Sequence, residues 1–186
     1  RGLGDVYKRQ VLLETILGIG MALVMAKDFH GRGLLRAAVL VPWAIPTAIT
    51  AKLWAFLFSE QGIVNSIFHA HVAWQTDPWA ARFSIILADV WKTTPFMALL
   101  ILAGLQMIPK DLYEAARMDG ANAWQRFTRI TLPLAKNSII VAVLFRMLDA
   151  LRMYDLPYIM VGPNPDSPTA TLSQLVVACL LYTSPS

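Results

Sequence analysis

An all-α, polytopic membrane helix bundle is the fold this sequence predicts, and three observations predict it. The 186 residues are 56% hydrophobic and 15% charged, with a mean hydropathy of +0.52; a soluble domain carries about 25% charged residues. The apolar residues gather in long runs, read below as five spans. Lysine and arginine are distributed unevenly between the loops that join those runs.

The first run, Val11 to Ala26, is apolar apart from Glu14 and Thr15. It is shorter than the about 20 residues that cross a bilayer, and Gly18 and Gly20 within it permit close helix contact. A basic loop, Lys27 to Arg36, follows. The second run, Leu34 to Phe58, holds Pro42, Pro46 and a single charge, Lys52. Prolines four apart predict a kink and freed backbone carbonyls. Ser59 to Arg82 is a polar, aromatic connection. Its Trp74 and Trp79 read as interfacial anchors, and Gly62 to Phe68 as a short helix lying in the interface. Phe83 to Ile108 is the third run, interrupted by Asp89, Lys92 and Pro95. Leu134 to Leu148 is the fourth, with Asp149 and Arg152 near its end. A glycine- and proline-rich connection over 161–168 leads to the fifth, Ala170 to Leu181.

Lys27, Arg32, Arg36, Lys110, Arg117, Arg126, Arg129 and Lys136 fall on one side of these spans; Arg82 and Arg152 fall on the other. Positive loops stay inside, so the segment between the third and fourth runs is expected to be cytoplasmic. The net charge of +4 is spread over loops, not gathered in the basic stripe that nucleic-acid binding requires.

That cytoplasmic segment is the longest polar, helix-forming stretch of the chain. Asp111 is expected to N-cap a helix, with Glu114 completing a capping box. Gly120 suits the left-handed position that ends the helix. Asn122 is expected to cap a second short helix with Gln125 in its third position; in it Trp124, Phe127 and Ile130 recur on one face, while Gln125, Arg126 and Arg129 face away. Pro133 stands where a first helical turn tolerates proline.

The pattern Glu114-Ala115-Ala116, Gly120, Ile130, Leu132-Pro133 resembles the EAA loop of the permease subunits of bacterial ABC importers. Asp89-Val90-Trp91-Lys92-Thr93-Thr94-Pro95-Phe96, Ala103-Gly104-Leu105-Gln106-Met107-Ile108-Pro109 and Gly62-Ile63-Val64-Asn65 are similar to the sugar-importer branch, of the maltose/trehalose type. The resemblance covers residues 11 to 178 and implies a type-1 importer permease fold of six spans, about five of them present here. It also implies a docking loop for an ATPase, made by Glu114, Ala115, Ala116, Asp119, Gly120, Ala121, Trp124, Phe127, Ile130, Leu132 and Pro133. The partners it implies are a second permease subunit, two ATPase subunits, an extracytoplasmic solute-binding protein and the lipid bilayer of a bacterial inner membrane. Residues 1–10 and 180–186 depart from the pattern and resemble translated adapter peptides; the permease domain is expected over 11–180, truncated at both ends.

The chemistry available to the chain is narrow. No Gly-Lys-Ser/Thr phosphate loop is present, so ATP and magnesium are expected on a partner chain and no cofactor on this one. Cys179 is the only cysteine, which excludes an internal disulfide. His30, His69 and His71 make no zinc set, and His69-x-His71 is a weak pair; no metal site is expected. Asp89 and Lys92 are spaced to pair on one helix face, and with Lys52, Trp91 and Asp149 they are the candidate lining of a translocation path. Glu14, Lys52 and Arg146 stand nearer span ends, where charged tips can snorkel to the interface. Trp43, Trp54 and Trp91 suit either packing or stacking on a sugar ring. A transport subunit without bond-making chemistry is therefore the expectation, its solute a disaccharide or oligosaccharide. The competing classes are a secondary transporter, which commonly shows an internal repeat, and a membrane enzyme, which needs convergent acid–base or metal residues; neither signal is in the sequence. Glycerol phosphate or another small polar solute is the competing substrate class.

Overall fold

The computed structural model describes residues 3–69, 72–162 and 169–183. They form α1 (Leu3–Ala26), α2 (Arg32–Ala44), α3 (Thr47–Leu57), α4 (Ile63–Phe68), α5 (Pro78–Gln106), α6 (Lys110–Met118), α7 (Ala123–Arg126), α8 (Leu132–Leu151), α9 (Asp155–Val161) and α10 (Leu172–Thr183), with no strand among the described residues.

The bundle is built around α5. The Asp77 carboxylate caps its start, accepting from the Trp79 and Ala80 amides at 2.7 and 3.2 Å, and Pro78 occupies the first turn. Its apolar window is 61% buried, against 22% for the rod that contains α8. Helices α1 and α8 both pack on α5. Met25, Met97, Ala98, Ile101, Ala135 and Ala142 close one part of the core; Ala51, Phe58, Ile85, Ala88, Leu156 and Met160 close the other. Small residues set the spacing. The Cβ of any residue at Gly104 would overlap Ser138 of α8, and one at Gly18 would meet Met97 Cγ at 3.1 Å.

Among the described residues three helices are long and apolar enough to cross a membrane: Tyr7–Ala26, Pro78–Gln106 and Ala123–Leu151. The second expected run is a broken span. Helices α2 and α3 meet at 87°, with Ile45 and Pro46 in extended conformation between them. Pro46 has no amide to continue α2, and the residue before a proline is driven out of helical geometry. The last apolar helix, α10, has 12 residues.

Four elements differ from the sequence expectation. Pro95 does not interrupt α5, which runs unbroken from Pro78 to Gln106. Just before the proline the Thr93 and Thr94 hydroxyls donate to the Asp89 and Val90 carbonyls at 2.7 and 2.6 Å; the carbonyl that Pro95 deprives of its helical amide is that of Trp91. The second short helix expected after Gly120 is not separate from the fourth span. Helix α7, a π-helical turn at Phe127–Thr131 and α8 form one continuous rod. The wider turn places Pro133 in the first turn of α8, and the Leu132 amide reaches back to the Phe127 carbonyl. Helix α1 begins at Leu3, ahead of the expected Val11. Helix α9, which the sequence did not suggest, packs on α3 through buried Leu156 and Met160. Most of the Gly-Pro connection, 163–168, lies outside the described residues, as does His71 of the His69-x-His71 pair.

The loops sort to two ends. Lys110 Nζ donates to Asp28 Oδ2 at 3.0 Å, which brings the α1–α2 and α5–α6 connections together at one end. At the other end Trp74 packs on Phe58, its ring 5.0 Å away, and donates to Asn65 Oδ1 at 2.7 Å. Trp74 is thus half-buried against the core, whereas Trp79 is exposed.

Candidate functional site

The EAA segment is a fixed corner. Helix α6 starts one residue before Asp111, with Pro109 as its unbonded N-cap. Asp111 therefore does not cap it, and no capping box with Glu114 forms; Asp111 sits in the first turn, where its charge meets the positive helix end. Gly120 has φ 77°, and around it the Gly120 amide bonds the Arg117 carbonyl at 3.0 Å and the Ala121 amide the Ala116 carbonyl at 2.9 Å. This doubly bonded, left-handed ending is the one glycine permits. Asn122 and Gln125 form the expected capping box: the Asn122 side chain accepts from the Gln125 amide at 2.8 Å, and the Gln125 side chain from the Asn122 amide at 2.9 Å. Tyr113 Oη lies 2.9 Å from Thr131 Oγ1 and ties α6 to the rod.

The corner leaves its contact groups open. Glu114, Ala115, Asp119 and Gly120 are exposed; Ala116, Ala121, Phe127 and Ile130 are half-buried. Leu132 and Pro133 are exposed at the start of α8. The faces of α7 are not those expected. Trp124 is 71% exposed, its ring 5.7 Å from that of Phe127, while Arg126 turns inward to donate to the Ala121 carbonyl at 2.6 Å. Beside the corner, Asp28 accepts from Lys110 and from Arg32. The Lys110 hydrogen bond and charge, with Arg32 behind them, hold the Asp28 carboxyl below the usual aspartate range.

The charged residues within the spans form a second assembly. Arg146 of α8 donates through Nε to Glu14 Oε2 at 2.5 Å and through Nη2 to Glu14 Oε1 at 3.0 Å. The same Nη2 reaches Asp89 Oδ2, and Nη1 reaches Asp149 Oδ2 at 3.3 Å. Thr93 Oγ1 donates to Glu14 Oε1 at 3.0 Å, and Gln10 Nε2 donates to Asp89. Glu14, Asp89 and Arg146 are buried; Asp149 lies at the open edge. One guanidinium thus binds α1, α5 and α8 at a single point, its fork matched to two carboxylates.

This overturns two expectations. Asp89 does not pair with Lys92; its partner is Arg146, while Lys92 Nζ turns to the Ile45 carbonyl at 2.5 Å, at the break between α2 and α3. Glu14 and Arg146 do not snorkel either, because each supplies the other's counter-charge inside the bundle. Opposite charges placed in different spans were the signal for this pairing, since an intramembrane charge seeks a partner within the bundle. Of the remaining path candidates, Lys52 is exposed on α3. Trp91 is partly exposed, and its ring stands edge-on to that of Trp54 at 5.7 Å. Trp43 stacks on Phe96 at 5.4 Å.

The binding-protein-dependent transport system inner membrane component family matches residues 14–178. The chain is 50% identical over 170 residues to the trehalose/maltose transport system permease protein MalF of Thermococcus litoralis, covering 89% of this chain and 58% of that protein. It is 42% identical over 165 residues to the sulfoquinovosyl glycerol transport system permease protein SmoG of Agrobacterium fabrum, covering 86% of this chain and 54% of that protein. The chain thus spans a little over half the length of these relatives. Among solved structures, the bacterial alginate ABC transporter in complex with alginate pentasaccharide-bound periplasmic protein superposes with a TM-score of 0.84 at 26% identity, over 97% of this chain and 66% of that one. With the helix bundle and the EAA corner already in place, the match across most of the sequence means that this chain belongs to the family of binding-protein-dependent transport system inner membrane components.

Proposed function

We propose that this chain is part of the permease subunit of a carbohydrate ABC importer in a bacterial inner membrane, with the EAA corner in the cytoplasm. It forms half of a translocation path with a second permease subunit and takes a disaccharide or oligosaccharide from an extracytoplasmic binding protein. Two ATPase subunits, which bind ATP and magnesium, dock at the EAA corner; this chain makes and breaks no covalent bond. The observation that carries the reading is the corner itself. It is rigid by its own hydrogen bonds, yet it leaves Glu114, Ala115, Met118 and Trp124 exposed. Small residues at 115 and 116 let a partner approach the backbone, and Trp124 offers the kind of aromatic anchor that interfaces use. The names of the relatives, trehalose/maltose and sulfoquinovosyl glycerol systems, support a carbohydrate as solute.

Asp89, Lys92, Asp149, Trp91 and Lys52 line the path in this reading. In the arrangement described here Asp89 and Lys92 are held by partners within the chain, so solute hydroxyl groups would compete for them.

The test uses the full-length permease. Gly120→Val places a β-branched side chain on left-handed backbone at a cost of about 1–2 kcal/mol, and Glu114→Lys reverses the exposed charge. Both variants should insert in the membrane while losing ATPase association in a pull-down and losing sugar uptake. Normal association and uptake in both would return the corner to a passive connector.

A further inference from the structure

The end of the bundle opposite the EAA corner carries an apolar patch that the transport reading leaves unused. Helix α4 exposes Ile63, Ile67 and Phe68, and the start of α5 exposes Trp79 and Phe83; Phe68 and Trp79 are each 74% exposed. The one charged group in contact with these side chains, among the described residues, is the guanidinium over Trp79. Glu60 and Asp77 stand at the rims of the patch, and the Arg82 guanidinium lies 5.4 Å from the centre of the Trp79 ring.

The rotation of α4 is fixed from the inside. Asn65 is buried, and its Nδ2 donates to the Glu60 and Val72 carbonyls at 3.1 and 3.0 Å, while its Oδ1 accepts from Trp74 Nε1 at 2.7 Å. With Asn65 turned in, Ile63 and Ile67, two residues to either side of it, face out, and Phe68 is exposed at the end of the helix. The turn into the helix is equally fixed. A Cβ at Gly62 would stand 2.7 Å from the Phe56 carbonyl oxygen and 2.9 Å from that of Ser59. Only glycine lets α4 fold back this closely on the end of α3. A six-residue helix does not hold itself together in water; this one is bolted to the bundle by Asn65 with its apolar side outward.

We propose that α4, with Trp79 and Phe83, is a membrane-surface anchor whose apolar patch sits in the boundary between headgroups and acyl chains of the leaflet opposite the EAA corner. The argument for lipid over a protein partner is continuity. Phe83 and Leu87 are exposed on α5, a helix long and apolar enough to cross the membrane, and Phe83 belongs both to this flank and to the patch. Its composition of aliphatic residues, phenylalanine and tryptophan is that of amphipathic helices lying in the interface plane.

Site-directed spin labelling tests this. In the full-length permease with Cys179→Ser, single cysteines at positions 60, 67 and 68 are labelled, all at exposed positions where a label leaves the core intact. The protein is reconstituted in vesicles of phosphatidylcholine and phosphatidylglycerol. Collision with oxygen should dominate over collision with a water-soluble nickel complex at 67 and 68, placing both labels about 5–10 Å below the phosphates, with the reverse at 60. Equal nickel access at 60, 67 and 68 would overturn the proposal. So would shielding at 67 and 68 that appears only when a solute-binding protein is added, which would assign the patch to that protein.

Discussion

Lys92 and Ile45 meet across two helices: the Lys92 ammonium donates to the Ile45 carbonyl at 2.5 Å, at the point where Pro46 ends the first half of a broken span. Outside regular helix, that carbonyl depends on a partner from elsewhere. Lys92→Met should loosen the break and lower thermal stability in detergent by an amount of the order of 1–3 kcal/mol, while Lys92→Arg should retain most of it. Because Asp89 is bound to Arg146, the coupling between Lys92→Met and Asp89→Asn should be smaller than that between Arg146→Met and Asp89→Asn. A larger interaction energy in the double-mutant cycle would restore the local Asp89–Lys92 pair.

The Arg146 assembly should respond in the opposite way. Arg146→Met leaves two buried carboxylates without their cation, a loss of about 3–5 kcal/mol. Glu14→Gln leaves Arg146 with Asp89 and Asp149 and should cost less. The double variant should be more stable than the sum of the single losses predicts. Survival of the folded fraction on heating, followed by fluorescence-detected gel filtration, measures each term.

Asp28 gives a prediction for pH and salt. Its folded carboxyl is held below its ordinary range by Lys110. The link is therefore complete above the unfolded aspartate value, near about 3.9, and is lost as pH falls through the lower folded value. Neutral and mildly acidic conditions should leave it intact. Lys110→Ala should move the Asp28 titration upward in carbon-13 spectra of labelled aspartate. Added salt should do the same to a smaller degree, since the pair is exposed.

The contact between Gly104 and Ser138 predicts a matched pair of substitutions. Gly104→Ala puts a methyl group where the Ser138 side chain lies and should cost about 1–3 kcal/mol by forcing α5 and α8 apart. Ser138→Gly in the same protein should recover most of that loss in the melting temperature.

Part of the local chemistry was legible in the sequence, though not the N-cap of α6, which is Pro109 and not Asp111; partnership across the bundle was not legible. Gly120 and the Asn122–Gln125 box act within four residues, and both stand where the spacing put them. The break at Pro46 follows from covalent geometry alone, while Pro42 is carried inside α2. Asp89 and Lys92 also looked like a local pair, but the rule for neighbours on one helix sees no farther than a turn. The actual partners of Arg146 lie 57 and 132 residues away in sequence, and packing chose them. Pro95 misled for a related reason: α5 carries it unbroken, which the spacing of apolar residues does not show, whereas Pro133 stands in the first turn of α8 where the sequence put it.

The unbroken rod from Ala123 to Leu151 carries the exposed Trp124 at one end and the buried Arg146 toward the other. At 1.5 Å per residue these two side chains are separated by about 33 Å along one axis. Such a rod works as a lever. A tilt of about 10° imposed at the tryptophan end would, by this length, sweep the guanidinium through about 6 Å, farther than any hydrogen bond can stretch. A push on the corner is thus transmitted to the charges inside the membrane, unless the π turn between them yields first.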